Sequence, residues 1–123
     1  MTIPEALDEV VSVLRDAGLT RATRDAGAFF PSPIGVLVGM PSLTSTGLGA
    51  RTLEVPVHVI SADPPSPRIL GLMYAAADTA AAALSIDKYQ PGTYSGNVNA
   101  EPLPTIDMTA VVTIPYTSPA PEE

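Results

Sequence analysis

The chain has no cysteine and no tryptophan, only two phenylalanines, one histidine and one lysine. Without cysteine there are no disulfides, thiolate nucleophiles or thiolate metal sites. With a single imidazole, His58, a histidine-based metal centre cannot be assembled. Bases are scarce: six Lys and Arg stand against 13 Asp and Glu, for a net charge of −7. Such a chain is repelled by nucleic-acid phosphate, and no basic stripe interleaved with aromatics offsets this. Long apolar runs are also missing. None approaches the roughly 18 residues that a membrane helix needs, and no basic segment leads into one. The reading therefore expects neither a signal peptide nor a membrane span.

What is present is a chain of 123 residues, a length that fits one domain and can bury a core without covalent staples. Its apolar share of 46% is ordinary, but Ala, Val, Leu and Ile supply nearly all of it. The 14 prolines are about twice the usual share and are spread along the chain as punctuation.

Two helical patterns each precede a pair of extended segments. Ile3, Leu7, Val10, Val11 and Leu14 recur at helical spacing over residues 2–17. Thr2 and Glu5 have capping-box spacing there, and Gly18 suits a stop. Residues 19–33 read as a connector. Residues 34–40 read as a short strand with Ile34, Val36, Val38 and Met40 on one face. Residues 41–50 carry no charge and read as a loop. Residues 51–61 are the clearest strand: Leu53, Val55, Val57 and Val59 alternate with Thr52, Glu54, Pro56 and His58. Pro56 cannot donate to a ladder, which predicts an edge strand or a bulge. Ser66 and Pro67 open a second helix that runs to about Ser85. Pro91-Gly92 reads as a turn, residues 93–100 as a weak strand, 101–104 as a break and 105–116 as the last strand. Residues 117–123 read as a disordered acidic, proline-bearing tail beyond a single domain of residues 1–116.

The expected fold is a single α/β (α+β) domain. It has a mainly antiparallel sheet of about four strands with two helices packed on one face. The expected core holds Leu7, Val10, Leu14, Val36, Val38, Val55, Val57, Met73, Leu84, Met108, Ala110 and Val112.

Chemistry-bearing residues are scattered. His58 and Glu54 share a strand face but lie about 13 Å apart at strand rise, too far for an acid–base pair. His58 therefore reads as a surface or interface side chain. Gly92-Thr93-Tyr94-Ser95-Gly96 is not the Gly-x-Ser-x-Gly nucleophile elbow. Gly47-x-Gly49 lacks the third glycine of a dinucleotide loop and precedes a strand. Asp63, Asp78, Asp87 and Asp107 have no spacing that builds a site. No catalytic, metal-binding or cofactor-binding residue is assigned, and no cofactor is expected.

The order "PIGVLVGMPSLT", "RTLEVPVHVIS", an alanine-rich helix, "YQPGTYSG" and "EPLPTIDMTAVVTIPY" resembles the tail terminator (minor tail, tail-completion) proteins of long-tailed phages infecting actinobacteria. The resemblance covers most of the chain through pattern and composition. It implies a structural virion protein, assembled in the host cytoplasm and located in the tail neck. It also implies a homo-oligomer, a hexameric ring, at the head-proximal end of the tail tube. The implied partners are the major tail tube protein and the head–tail connector or stopper protein. Genomic DNA would pass through the lumen without specific binding, and no membrane is involved. The family supplies no catalytic residues. The segments that match its edges and loops place candidate protein-interface residues at Ser42, Leu43, Thr44, Leu48, Arg51, Glu54, His58, Tyr94, Asn97 and Asn99. Two other readings stand beside this one: another neck component (a head–tail connector or stopper), and a small non-enzymatic ligand-binding module. The scarcity of aromatics weighs against the second, since pockets are usually lined with them.

Overall fold

The computed structural model describes residues 2–25, 34–45, 50–63, 66–94 and 103–115. Helix α1 (Ile3–Asp16) begins at a complete capping box. The Thr2 hydroxyl accepts from the Glu5 N–H at 3.3 Å, and the Glu5 carboxylate accepts from the Thr2 N–H at 2.7 Å. That backbone hydrogen bond holds the Glu5 carboxyl below its ordinary range. Gly18, at φ 106°, turns the chain away where a side chain would be strained. Ala6, Leu7, Val10, Val11 and Leu14 form the buried stripe.

Strands β1 (Ala22–Thr23), β2 (Ile34–Val38), β3 (Ser42–Ser45) and β4 (Ala50–Ser61) follow α1. Helix α2 (Pro67–Leu84), β5 (Gln90–Tyr94) and β6 (Leu103–Pro115) complete the order. The strands form one six-stranded sheet in the order β1-β2-β4-β6-β5, with β3 paired to β4 beside that path. Only β1 and β2 run parallel. The β4–α2–β5 unit is split by β6, which pairs antiparallel with both strands. The β4–β6 ladder is the spine: it runs unbroken from Ala50 opposite Pro115 to Ile60 opposite Thr105.

Both helices lie on one face of the sheet. Leu53, Val55, Val57 and Val59 of β4 are fully buried there, with Ile106, Met108, Ala110 and Ile114 of β6 beside them. Each valine or leucine so covered contributes about 1.5–3 kcal/mol relative to exposure. Ser66 caps α2, its hydroxyl accepting from the Ile69 N–H at 3.2 Å. Ile69, Met73, Ala77 and Ala80 pack inward, and the small alanine side chains bring the helix axis close to the sheet. The helix ends on Ser85 in the left-handed region at φ 56°, and the Ile86 N–H bonds to the Ala81 carbonyl at 2.8 Å.

The single mixed domain and its two helices agree with the sequence reading, but the strand count is six rather than four. The connector at 19–33 contains β1, whose Ala22 is buried. Ser42–Ser45, expected to be loop, forms β3 because a neighbouring strand satisfies its backbone. Pro91-Gly92 lies inside β5 rather than in a turn, at the sheet edge, where a missing N–H costs little. Leu103-Pro104 extends β6 past the end of the β4 ladder, with Pro104 opposite Thr93 of β5. Most of the expected core is buried. Leu84 and Val112 are only partly covered, Leu84 at the last turn of α2 and Val112 on a length of β6 that β5 does not reach.

Pro56 does not mark an edge. It sits in the central strand, opposite Thr109 of β6. Its other side faces a bulge. Val38 pairs with Val57 and Ser42 with Glu54, so three residues, Gly39 to Pro41, span two on β4. The Pro56 carbonyl accepts from the Gly39 N–H at 2.8 Å, which places the proline nitrogen on that same side. The absent donor therefore falls in the bulge, and the β6 ladder loses nothing. Met40, which the sequence alternation placed on one face with Ile34, Val36 and Val38, lies in the bulge and is 88% exposed.

Val57→Asp is expected to abolish cooperative unfolding at ambient temperature. It places an unpaired carboxylate at a fully buried position, at a cost of several kcal/mol against a total of roughly 5–15. Ser85→Gly is expected to stabilise by about 1 kcal/mol by relieving the left-handed backbone. Chemical denaturation of the two variants checks both. A stable Val57→Asp domain, or a Ser85→Gly variant of lower midpoint, would contradict the packing described.

Candidate functional site: the open face of the sheet

The face of the sheet opposite the helices carries the polar residues of β4 and β6. At one end it is closed: Leu37, Ile60 and Thr105 are buried. At the other it is open, and Glu54, Thr109, Val111 and Thr113 are exposed. Between the two lies the most organised polar cluster. His58 and Asp107 are directly opposite on β4 and β6, and His58 Nδ1 lies 2.7 Å from Asp107 Oδ1. The Thr105 hydroxyl donates to the same Oδ1 at 2.8 Å. The carboxylate is the acceptor in both contacts, so Nδ1 of His58 is the donor to Oδ1. Both His58 and Asp107 are 29% exposed.

Glycine shapes the surroundings on both sides. Gly92 of β5 lies over Thr105 and Asp107, and a Cβ there would overlap the Asp107 carboxylate. Gly39, in the bulge, approaches the His58 ring and Pro56 at contact distance. Beside the pair opens a shallow cleft of about 390 Å³, lined in part by Pro56, His58, Lys88, Tyr89, Gln90 and Asp107. At its rim the Tyr89 hydroxyl donates to the Asp78 carboxylate, and its ring is tilted against Tyr74 with centroids 6.1 Å apart. That hydrogen bond raises the Tyr89 pKa above its ordinary value.

The cluster is suited to fixing register. β4 and β6 both alternate apolar and polar residues, so a slip of two residues would keep the core face apolar. It would also separate His58 from Asp107 and move Gly92 off the carboxylate. A partly buried hydrogen bond that forms in one register only favours that register. Among the described residues there is no group of three or more His, Asp or Glu placed to hold a metal ion. No described helix is long and apolar enough to cross a membrane.

The sequence-derived interface residues divide into two places. Ser42, Leu43 and Thr44 lie on β3, with Ser42 opposite Glu54 and Ser45 opposite Arg51. Ser42, Leu43, Thr44, Arg51 and Glu54 thus come together at the open end of the sheet. His58 and Tyr94 lie further along, Tyr94 at the end of β5 opposite Leu103. Leu48, Asn97 and Asn99 fall outside the described residues. Sequence reasoning took His58 as a surface or interface side chain, rejected Glu54 as too distant, and did not connect the histidine with Asp107, Thr105 or Gly92. No local spacing could have found the pair, because 49 residues separate its members. No protein-family model and no curated protein matches the chain.

His58→Ala and Asp107→Ala are each expected to cost about 0.5–1.5 kcal/mol, and their double-mutant cycle to show coupling of similar size. Additive losses would mean that the pair contributes nothing. Gly92→Val is expected to cost more, about 1–3 kcal/mol, because the added carbons overlap a carboxylate held from two sides. Tyr89 sets an alkaline limit. Its folded pKa lies above the ordinary 10.0, so its hydrogen bond is intact below pH 10 and is lost as pH rises through the folded value. Tyr89→Phe is expected to flatten that alkaline decline in denaturant midpoint; an unchanged slope would discount the contact with Asp78.

Proposed function

We propose that this chain is a structural component of a phage tail neck. It assembles into a ring at the head-proximal end of the tail tube, ends tube growth and presents a surface to the head connector or stopper. The observation that carries the reading is the one-sided build of the sheet. Helices cover one face, while the other is largely polar and opens at one end, and the candidate interface residues gather at that end of the sheet, Ser42 and Glu54 on the open face and Leu43 and Arg51 on the helix side. A broad flat surface suits contact with other subunits better than capture of a small molecule, which needs a deep concave site. The resemblance of the extended segments to tail terminators supports the same reading. So does the net charge of −7, since an acidic lumen repels DNA and lets it slide. In this role the protein acts by contact and not by turnover, and no cofactor takes part.

One observation favours the ligand-binding alternative: the cleft beside His58 and Asp107. It is shallow and bears one aromatic ring, so it ranks second.

The test is assembly without the chain. Particles from phage in which it is deleted are expected to show overlong tails of uneven length and heads without tails by electron microscopy. Tails of uniform, normal length would overturn the proposal. A native mass that fits a closed ring would support it.

A further inference from the structure

The sheet has four edge segments, and they differ in how they are protected. β1 is two residues long, too short to template a partner strand. β5 carries Pro91 and Gly92, which weaken a ladder. The other two are less protected: the open length of β6 has one proline, at its far end, and β3 is four residues long. β5 pairs with β6 only from Leu103 to Asp107, so Met108 to Pro115 have no described strand on their outer side. β3 is likewise paired on one side only. Both open segments lack charge: Met-Thr-Ala-Val-Val-Thr-Ile-Pro on β6 and Ser-Leu-Thr-Ser on β3. In a chain of net charge −7, a largely apolar edge on β6 and a second uncharged edge on β3, both without Lys, Asp or Glu, run against the way soluble sheets avoid pairing.

One of the two edges offers a projecting side chain and the other a recess. They lie on opposite sides of the same end of the sheet, since both flank Arg51–Glu54 of β4. Leu43 pairs with the core residue Leu53, so it projects on the helix side, yet it is 48% exposed. On the far edge the helix side has a cleft of about 310 Å³, lined by Val10 and Val13 of α1, Leu84 of α2, and Val112 and Thr113 of β6. Val112 is only half-covered there.

We infer that the open length of β6 in one copy receives β3 of the next, continuing the sheet and seating Leu43 of that copy in the cleft over Val112. Within one copy β3 runs parallel to β6, because each is antiparallel to β4. A neighbour related by rotation therefore adds a parallel strand with its helix face on the same side. The contact joins two different edges, so it is heterologous: each copy offers one edge and uses the other, and the series closes into a ring when the rotation per copy divides a full turn. A two-fold pairing of β6 with β6 would stop at two copies and leave both β3 edges open. The inference rests on the ring reading and names the edge that builds the ring.

The absence of native cysteine makes the test clean. Leu43→Cys protein mixed with Val112→Cys or Val13→Cys protein, under mild oxidant and at high concentration, is expected to give a disulfide-linked pair. Neither protein alone should link. The exposed substitution Val111→Lys puts a charge beside the edge and is expected to shift the native mass from oligomer to monomer while leaving the thermal midpoint nearly unchanged. Self-linking of Val112→Cys alone would overturn the inference in favour of a two-fold dimer. A chain that stays monomeric and unlinked would overturn it outright. A closed ring without either mixed link would sink this edge contact and leave the ring reading standing. A linked ring that never caps a tail tube would do the reverse.

Discussion

The structure depends on the β4–β6 ladder. These two long strands meet far apart in sequence, with α2 and β5 between them, and they carry the largest share of buried side chains. Closing such a distant pair costs chain entropy before any contact is gained. The return comes from one apolar face covered by two helices. α2 contributes by being thin: its alanines let the helix lie close, and Met73 and Ile69 fill the remaining space. Everything else is attached to this pair. β2 and β3 line one side of β4, β5 lines part of β6, and α1 covers the core from the β1–β2 side.

Local signals in the chain were legible. Thr2, Glu5, Ser66 and Pro67 placed the helix starts, because a cap is a contact between residues three apart. The alternation in β4 placed its core face, because strand periodicity is a property of one segment. What escaped was anything settled by a partner strand. Ser42–Ser45 has no strong strand preference and becomes β3 only because β4 supplies hydrogen bonds. Pro56 was ambiguous alone, since the rule that excludes proline from central strands assumes that both neighbours need a donor. Here the bulge takes away one neighbour's demand.

The candidate site follows the same division. The residues at the end of the sheet could be proposed from sequence, as they sit in one uncharged stretch and the strand after it. The His58–Asp107 pair could not, because it exists only once the register is known. Glu54, four residues away and on the same face, was the visible carboxylate and the wrong one. Strand rise separates residues i and i+4 by more than twice the distance that sheet spacing puts between opposed residues. In sheets the reactive neighbours of a side chain lie across the ladder, so a search along the chain looks in the wrong direction.

Pro56 and Asp107 mark a boundary that runs across the whole sheet. On the β4 side, the bulge opposite Pro56 divides the companion strand into β2, which β1 covers, and β3, which nothing described covers. On the β6 side, the last residue paired with β5 is Asp107, two positions from Thr109, which faces Pro56. The two interruptions therefore fall at nearly the same level. Above it the sheet is five strands wide, ends in blunt edges and buries Leu37 and Ile60 on its second face. Below it the described sheet is three strands wide, with no described strand beyond either edge. The half that holds the His58–Asp107 pair is thus separate from the half with no described strand beyond its edges. A contact made by the lower strands need not strain the His58–Asp107 pair, and a change at that pair need not alter the edges. That separation allows a small domain to hold a unique fold while keeping unpaired strand edges at its surface.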